Sequence, residues 1–231
     1  MCGRYTLTAP GDALTEAFDL KELPDLSPRY NIAPTQEVAV VRLDKGSKKR
    51  KADLLKWGLI PSWAEDPSIG NRMINARAET AAEKPSFRSA FKRQRCLVLA
   101  DGYYEWKKLP DGTKQPYFIR LQGGEPFGIA GLWEHWEKGA PAIDSCTLLT
   151  TSPNELAGAI HDRMPVILDR QDFDLWLDPA VSDRERLQKL LVACPAERME
   201  AWPVSRYVNS PANDSPKCIE PVASAEPAEK R

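Results

Sequence analysis

The sequence predicts an α+β protein with a curved, mostly antiparallel, barrel-like β-sheet core and several short helices. Three observations carry this expectation. About eight short apolar runs read as strands. Helical spacings are few and brief, and they do not alternate with the strands as in a doubly wound sheet. Proline is abundant, 20 in 231 residues, and is scattered between the apolar runs, where it marks turns.

The elements follow in order. In GDALTEAFDL (11–20), Leu14, Ala17 and Phe18 recur at helical spacing and predict a short first helix. EVAVVRL (37–43) and ADLLKWGLI (52–60) flank DKGSKKRK, which reads as a hairpin with a basic loop. Residues 78–92 predict a helix that is interrupted or started anew at Pro85. CLVLAD (96–101) and YYEWKK (103–108) are strands, and PDGT (110–113) turns the chain into PYFIRL (116–121). PFGIAGLWEHW and SCTLLTT add two more. Ser152 before Pro153 predicts an N-cap with proline at the first helical position, opening NELAGAI (154–160). MPVIL (164–168) is a strand and DRQDFDLWL (169–177) a helix. Ser182 and Glu185 have capping-box spacing ahead of RLQKLLVA, and MEAWPVS (199–205) ends the structured part. From about Ser210 the chain is poor in bulky apolar residues and is expected to be disordered. The expected organisation is one domain over 2–208 with a tail over 209–231.

Composition narrows the class. Hydrophobic residues make up 42% and charged residues 28%, an ordinary globular balance. The formal charge of -1 excludes a uniformly basic coat but permits a local basic groove. No apolar run approaches membrane-helix length, and MCGRYTLTAP lacks the apolar core of a signal peptide. The five cysteines form no C-x-x-C pair, so reduced thiols in a cytoplasmic protein are expected. With only two histidines and no cysteine cluster, no metal site and no cofactor are expected.

Cys2 is the residue richest in chemical consequence. Removal of Met1 would leave a cysteine whose α-amine and thiol sit on adjacent carbons. A free α-amine titrates at roughly 7.7–8.0, so a useful fraction is nucleophilic at pH 7. Such a group serves an N-terminal-nucleophile enzyme, or it traps an aldehyde as a Schiff base that the thiol closes to a thiazolidine. The alternative is an ordinary second residue. INARAE (74–79) sets Asn75 and Arg77 on one face if extended, with Glu79 able to pair with an arginine. In ADGYYEW (100–106) Glu105 points opposite to Tyr104 and Trp106, toward solvent or into a pocket that would raise its pKa and suit it to acid–base work. His161 ends the helix before Asp162 and Arg163, where the helix dipole alone would also favour it. Trp63, Trp57 and Trp106 offer stacking faces, with a core or groove-wall role favoured for the last two. Lys48 to Lys51 reads as a solvated basic loop.

Together the ordered motifs MCGRY, RYNIAP (29–34), WGLIPSW (57–63), INARAET (74–80), ADGYYEWK (100–107), HDRMP (161–165) and PVS (203–205) resemble the SRAP family, the SOS-response-associated, abasic-site-processing proteins. The resemblance spans 2 to about 208. It implies a covalent thiazolidine crosslink between Cys2 and an abasic site in single-stranded DNA, lyase-like chemistry with a nominal cysteine peptidase label. It further implies that Asn75, Glu105 and His161 form the polar shell of the active site. Arg4, Arg77 and Arg163 would contact phosphates, and Pro34 and Trp63 would lie at the DNA-binding face. The expected partner is single-stranded DNA containing abasic sites, the expected state a monomer, and no membrane is involved. Rival readings are an N-terminal-cysteine amidohydrolase or autopeptidase, and a non-covalent single-strand-binding module.

Overall fold

Five strands close on themselves at the centre of the molecule. The computed structural model describes residues 2–44 and 46–223. Met1, whose removal is part of the expectation for Cys2, and the tail beyond residue 223 lie outside the described residues. In chain order the elements are β1 (Arg4–Leu7), α1 (Gly11–Phe18), β2 (Arg29–Ile32), β3 (Glu37–Leu43), β4 (Arg50–Trp57), β5 (Asn75–Arg77), α2 (Ala78–Ala81), α3 (Arg88–Arg93) and β6 (Arg95–Ala100). There follow β7 (Gly102–Lys108), β8 (Lys114–Leu121), β9 (Phe127–Trp136), β10 (Ile143–Thr151), α4 (Glu155–Gly158), β11 (Met164–Pro165), β12 (Ile167–Leu168), α5 (Phe173–Leu177), α6 (Arg184–Gln188) and β13 (Met199–Pro203).

The barrel runs β10–β4–β3–β6–β9 and returns to β10. Every pairing in it is antiparallel except β10 with β4. A second antiparallel sheet has the order β13–β8–β7–β1–β2. The chain passes between them at Asp101, the one residue between β6 and β7. Its carboxylate accepts from Thr6 Oγ1, from Thr8 through both its N–H and hydroxyl, and from the N–H of Ala9, which fixes the exit of β1. The α+β, barrel-like reading holds.

The apolar pattern explains the strands. β6 is buried along its whole length, as a strand covered on both faces requires. In β7, Tyr103 packs in the main core while Tyr104 packs in a separate cluster with Phe118, Val204, Val208 and Cys218, the two-residue alternation of a pleated strand.

Several local expectations are corrected. The 52–60 strand ends at Trp57, because Gly58 takes φ +129° and a Cβ there would sit 2.6 Å from the Gly70 carbonyl oxygen. The interruption expected at Pro85 is present, as the break between α2 and α3. Asn154, not Ser152, caps α4 by accepting from the Ala157 N–H, and Asp183, not Ser182, caps α6. MPVIL divides into β11 and β12.

The largest correction concerns residues 210–223, expected to be disordered. They cross the outer face of the second sheet as a strap. Cys218 is fully buried, the Trp202 indole donates to the Ile219 carbonyl at 2.8 Å, and the Val222 N–H donates to the Pro203 carbonyl. The strap covers aromatic residues that the sheet would otherwise expose, and it is held by polar contacts that an apolar-composition argument does not count.

Candidate active site

Four segments converge where the barrel meets the second sheet. Cys2 precedes β1, and Glu105 lies on β7, whose neighbour is β1 in the register Arg4 opposite Tyr104. Asn75 opens β5, which runs parallel to β10 with Asn75 opposite Leu148. His161 follows α4 and donates its own N–H to the Ala157 carbonyl.

Asn75 Nδ2 donates to the Cys2 carbonyl at 2.8 Å. The Cys2 side chain is fully buried, and its thiol is pushed up by that burial and by the charge of Glu105. The thiol is therefore held protonated and needs a base before it can act as a nucleophile. Glu105 is 3% exposed and shares the inward face of β7 with Tyr103. Burial raises its pKa, opposed by the neighbouring His161. The carboxyl thus keeps its proton to higher pH than a solvated glutamate does.

His161 Nε2 stands 3.8 Å from Glu105 Oε2. On its other side, Nδ1 accepts from the Arg163 N–H at 3.1 Å, while Asp162 Oδ1 also lies 3.0 Å from Nδ1. These two neighbours favour opposite tautomers. The Asp162 carboxylate is 87% exposed and its pull is screened, so the backbone donor decides: Nδ1 is the acceptor and Nε2 carries the proton toward Glu105. Thiol, amide, carboxyl and imidazole are thus gathered from four segments.

The three arginines are placed differently from one another. Arg163 is committed to Glu79, with terminal nitrogens 2.7 and 2.8 Å from the two carboxylate oxygens, and also reaches the Thr150 carbonyl at 2.5 Å. This fork ties the His161 loop to the segment bearing Asn75. Arg4 donates to Asn31 Oδ1, the Val208 carbonyl and the Asn209 carbonyl. Arg77 is exposed at the end of β5. Glu79 pairs with an arginine as expected, and that arginine is Arg163.

Trp63 is 54% exposed on the loop after β4, where Lys138 Nζ donates to its carbonyl at 3.0 Å. Pro34 lies in the turn before β3, where the Thr35 N–H donates to the Trp57 carbonyl and Thr35 takes φ 74°, a strained value for a β-branched residue. Trp57 is fully buried and its indole donates to the Ile74 carbonyl at 2.8 Å, linking the loop of Trp63 to the segment of Asn75. Trp106 is half-buried and donates to Asn209 Oδ1. Both are structural walls. The basic loop of the β3–β4 hairpin lies at the opposite end of that hairpin from Pro34 and Trp57, about 20 Å away along a seven-residue strand.

Two residues escaped the sequence reading. Asn31, inside RYNIAP, is fully buried with its side chain fully engaged, and Asp214, in the expected tail, caps the β2 backbone. An asparagine inside the otherwise strand-like run RYNI was the available signal for the first. No signal marked the second. Among the described residues, no three His, Cys, Asp or Glu side chains are grouped so as to hold a metal ion, and no helix is long and apolar enough to cross a membrane.

The fold and the site define a β-barrel protein that gathers a cysteine, an asparagine, a glutamate and a histidine beside its first strand. The chain belongs to the SOS response associated peptidase (SRAP) family, whose profile matches residues 1–211. It is 48% identical over 225 residues to abasic site processing protein YoqW of Bacillus subtilis (strain 168), covering 95% of this chain and 99% of that protein. It is 35% identical over 233 residues to abasic site processing protein HMCES of Gallus gallus, covering 87% of this chain and 68% of that one. A crystal structure of a protein from Bacteroides thetaiotaomicron superposes with a TM-score of 0.83 at 26% identity, covering 96% of this chain and all of that one.

Proposed function

We propose that this protein processes abasic sites in single-stranded DNA by forming a thiazolidine crosslink through Cys2 once Met1 has been removed. The observation that carries the reading is the convergence on Cys2: Asn75 fixes its carbonyl, and burial, together with the nearby charge of Glu105, raises its thiol pKa. His161 stands next to Glu105. The names of the relatives supply the substrate class.

An abasic deoxyribose opens to its aldehyde, and the Cys2 amine adds to C1′. The carbinolamine loses water, leaving an iminium. The thiol sulfur then adds to the same carbon as its proton departs, so one water is released overall and a five-membered ring remains. Glu105, buried with a raised pKa, takes the amine proton and returns one for the departure of water. His161, with Nε2–H toward Glu105, serves the sugar hydroxyl freed on ring opening. Asn75 is neutral, so it orients Cys2 without shifting these protonations. Arg77, Trp63 and Pro34 form the DNA-facing surface, with Arg77 on phosphate and Trp63 stacking on a base. The same reading places the protein in the cytoplasm as a monomer, on nucleoid DNA when engaged.

The test is the intact mass of protein mixed with abasic single-stranded DNA, without reductant. A heat-stable adduct of protein lacking Met1 is expected, with none from Cys2→Ala, which keeps an amine but only a reducible Schiff base. A heat-stable adduct from Cys2→Ala would overturn the mechanism. Equal binding of intact and abasic strands with no adduct would favour the non-covalent module. Peptide cleavage dependent on Cys2, without an adduct, would favour the peptidase.

A further inference from the structure

We infer that Asn31 and the strap, taken with its lead-in turn as residues 206–214, are positioning elements for Cys2, acting through the side chain of Arg4. This rests on the crosslinking role proposed for Cys2. Arg4 is the first ladder residue of β1, opposite Tyr104, and only Gly3 separates it from Cys2. Glycine leaves that link the freest backbone available, so the place of the thiol depends on what holds either side of it. Asn75 holds the Cys2 carbonyl. On the other side, Arg4 is held by its guanidinium: one terminal nitrogen donates to Asn31 Oδ1 and the Val208 carbonyl, both at 2.9 Å, and the other to the Asn209 carbonyl at 3.1 Å.

Asn31 is the hub of this clamp. It is fully buried, and its Nδ2 donates to the carbonyls of Val208, Ser210 and Asn213 at 3.0, 2.9 and 2.8 Å. Asp214 closes the strap onto β2, accepting from the Tyr30 and Asn31 N–H groups and from Arg29 Nε. Three strap carbonyls thus turn inward because one amide side chain receives them, and two of the carbonyls that Arg4 grips belong to the same strap. Without the strap, the first residue of β1 keeps its ladder bonds but loses its side-chain anchor. Strand ends fray most readily, and Cys2 would then sample a wider range of positions.

The experiment measures crosslinking of abasic single-stranded DNA by Asn31→Ala and Asp214→Asn. It compares the rate at saturating DNA, the half-saturating DNA concentration, and the salt dependence of the latter. Loss of positioning slows the saturated rate by roughly ten- to a hundred-fold, the scale on which small misplacements act, with half-saturation and salt slope unchanged. A saturated rate equal to wild type in both variants would overturn the inference. So would a raised half-saturation with a flatter salt slope, because the network would then serve DNA binding through Arg4. Should Asn31→Ala not fold, Asp214→Asn decides, since it keeps the side-chain shape and replaces a partly exposed carboxylate. If wild type itself forms no adduct, the proposed chemistry fails, separately from the clamp.

Discussion

Glu105 on β7 and His161 after α4 meet across 3.8 Å, and burial raises the Glu105 pKa above its ordinary value of 4.5. A base with a raised pKa becomes available only as pH climbs through the raised value. Crosslinking by wild type should therefore rise with pH over a limb lying above the ordinary carboxylate range. Glu105→Gln should lose that limb and react roughly 10²–10⁴-fold more slowly. His161→Ala should slow both adduct formation and transfer of a preformed adduct to trap DNA, with strand affinity retained. The measurement is a pair of rates across pH. Unchanged rates in His161→Ala would make the residue a purely structural partner of the Arg163 N–H.

The arginines separate by what already holds them. Arg77 is exposed, whereas Arg163 is forked onto Glu79. Arg77→Ala should flatten the slope of log affinity against log salt by about 0.7, the loss of one single-strand phosphate contact. Arg163→Ala should mainly slow the chemistry and lower the melting temperature, because it frees the His161 loop from the Asn75 segment. An unchanged slope in Arg77→Ala would remove it from the DNA surface.

The hairpin of β3 and β4 was legible because apolar residues recur on it at strand spacing, and the observed span of β3, 37–43, matches its apolar run. Glu105 was legible as a candidate because alternation sets it opposite Tyr104 and Trp106. Its meeting with His161 was not, since no local pattern encodes which loop returns to which strand. The strap was illegible for a different reason. Its cohesion comes from Asn31 and Asp214 with backbone groups, and its own composition is that of a solvated tail. Arg163 matched a motif, but its commitment to Glu79 depends on β5 and β10 pairing in parallel, a long-range fact.

Arg95 should be among the most sensitive residues for stability. It is 2% exposed, and its guanidinium donates to the carbonyls of Phe91, Lys92, Trp176, Asp178 and Val181, joining the ends of α3 and α5. Desolvation lowers its pKa to about 10, so it remains charged at neutral pH. Arg95→Met would strand several buried carbonyls at about 1–3 kcal/mol each if unrelieved. A total loss of about 3–5 kcal/mol is expected in urea unfolding. A loss below about 1 kcal/mol would mean that water replaces the side chain.

Glu134 should act as a pH-dependent burden on the fold. It lies on β9 opposite Ser145, is 5% exposed, and lines a cleft of about 600 Å³ with Arg42, Trp133, His135 and Asp144. The cleft's two cations are already engaged: Arg42 pairs with Asp53 at 2.7 Å and with Asp144 at 3.0 Å, Lys51 pairs with Asp53 at 2.8 Å, and His135 is 2.6 Å from Asp144. Burial accordingly pushes Glu134 up to about 7, against only a hydrogen bond with Ser62. The folded state therefore binds this proton more tightly than the unfolded state does. Its contribution is fully favourable below about pH 4.5, declines as pH rises toward 7, and is flat above. Each tenfold gain in proton affinity on folding is worth about 1.4 kcal/mol, so the decline amounts to roughly 3 kcal/mol at most. Glu134→Gln mimics the protonated form, so it should melt higher than wild type at pH 8 and at a similar temperature near pH 4.5. Because Ser62 precedes Trp63, the variant also shows whether the loop bearing that tryptophan depends on the charge: its crosslinking rate at pH 8 should match wild type if Glu134 acts on stability alone. A melting difference independent of pH would show that the carboxyl is ionised and paired in the folded protein.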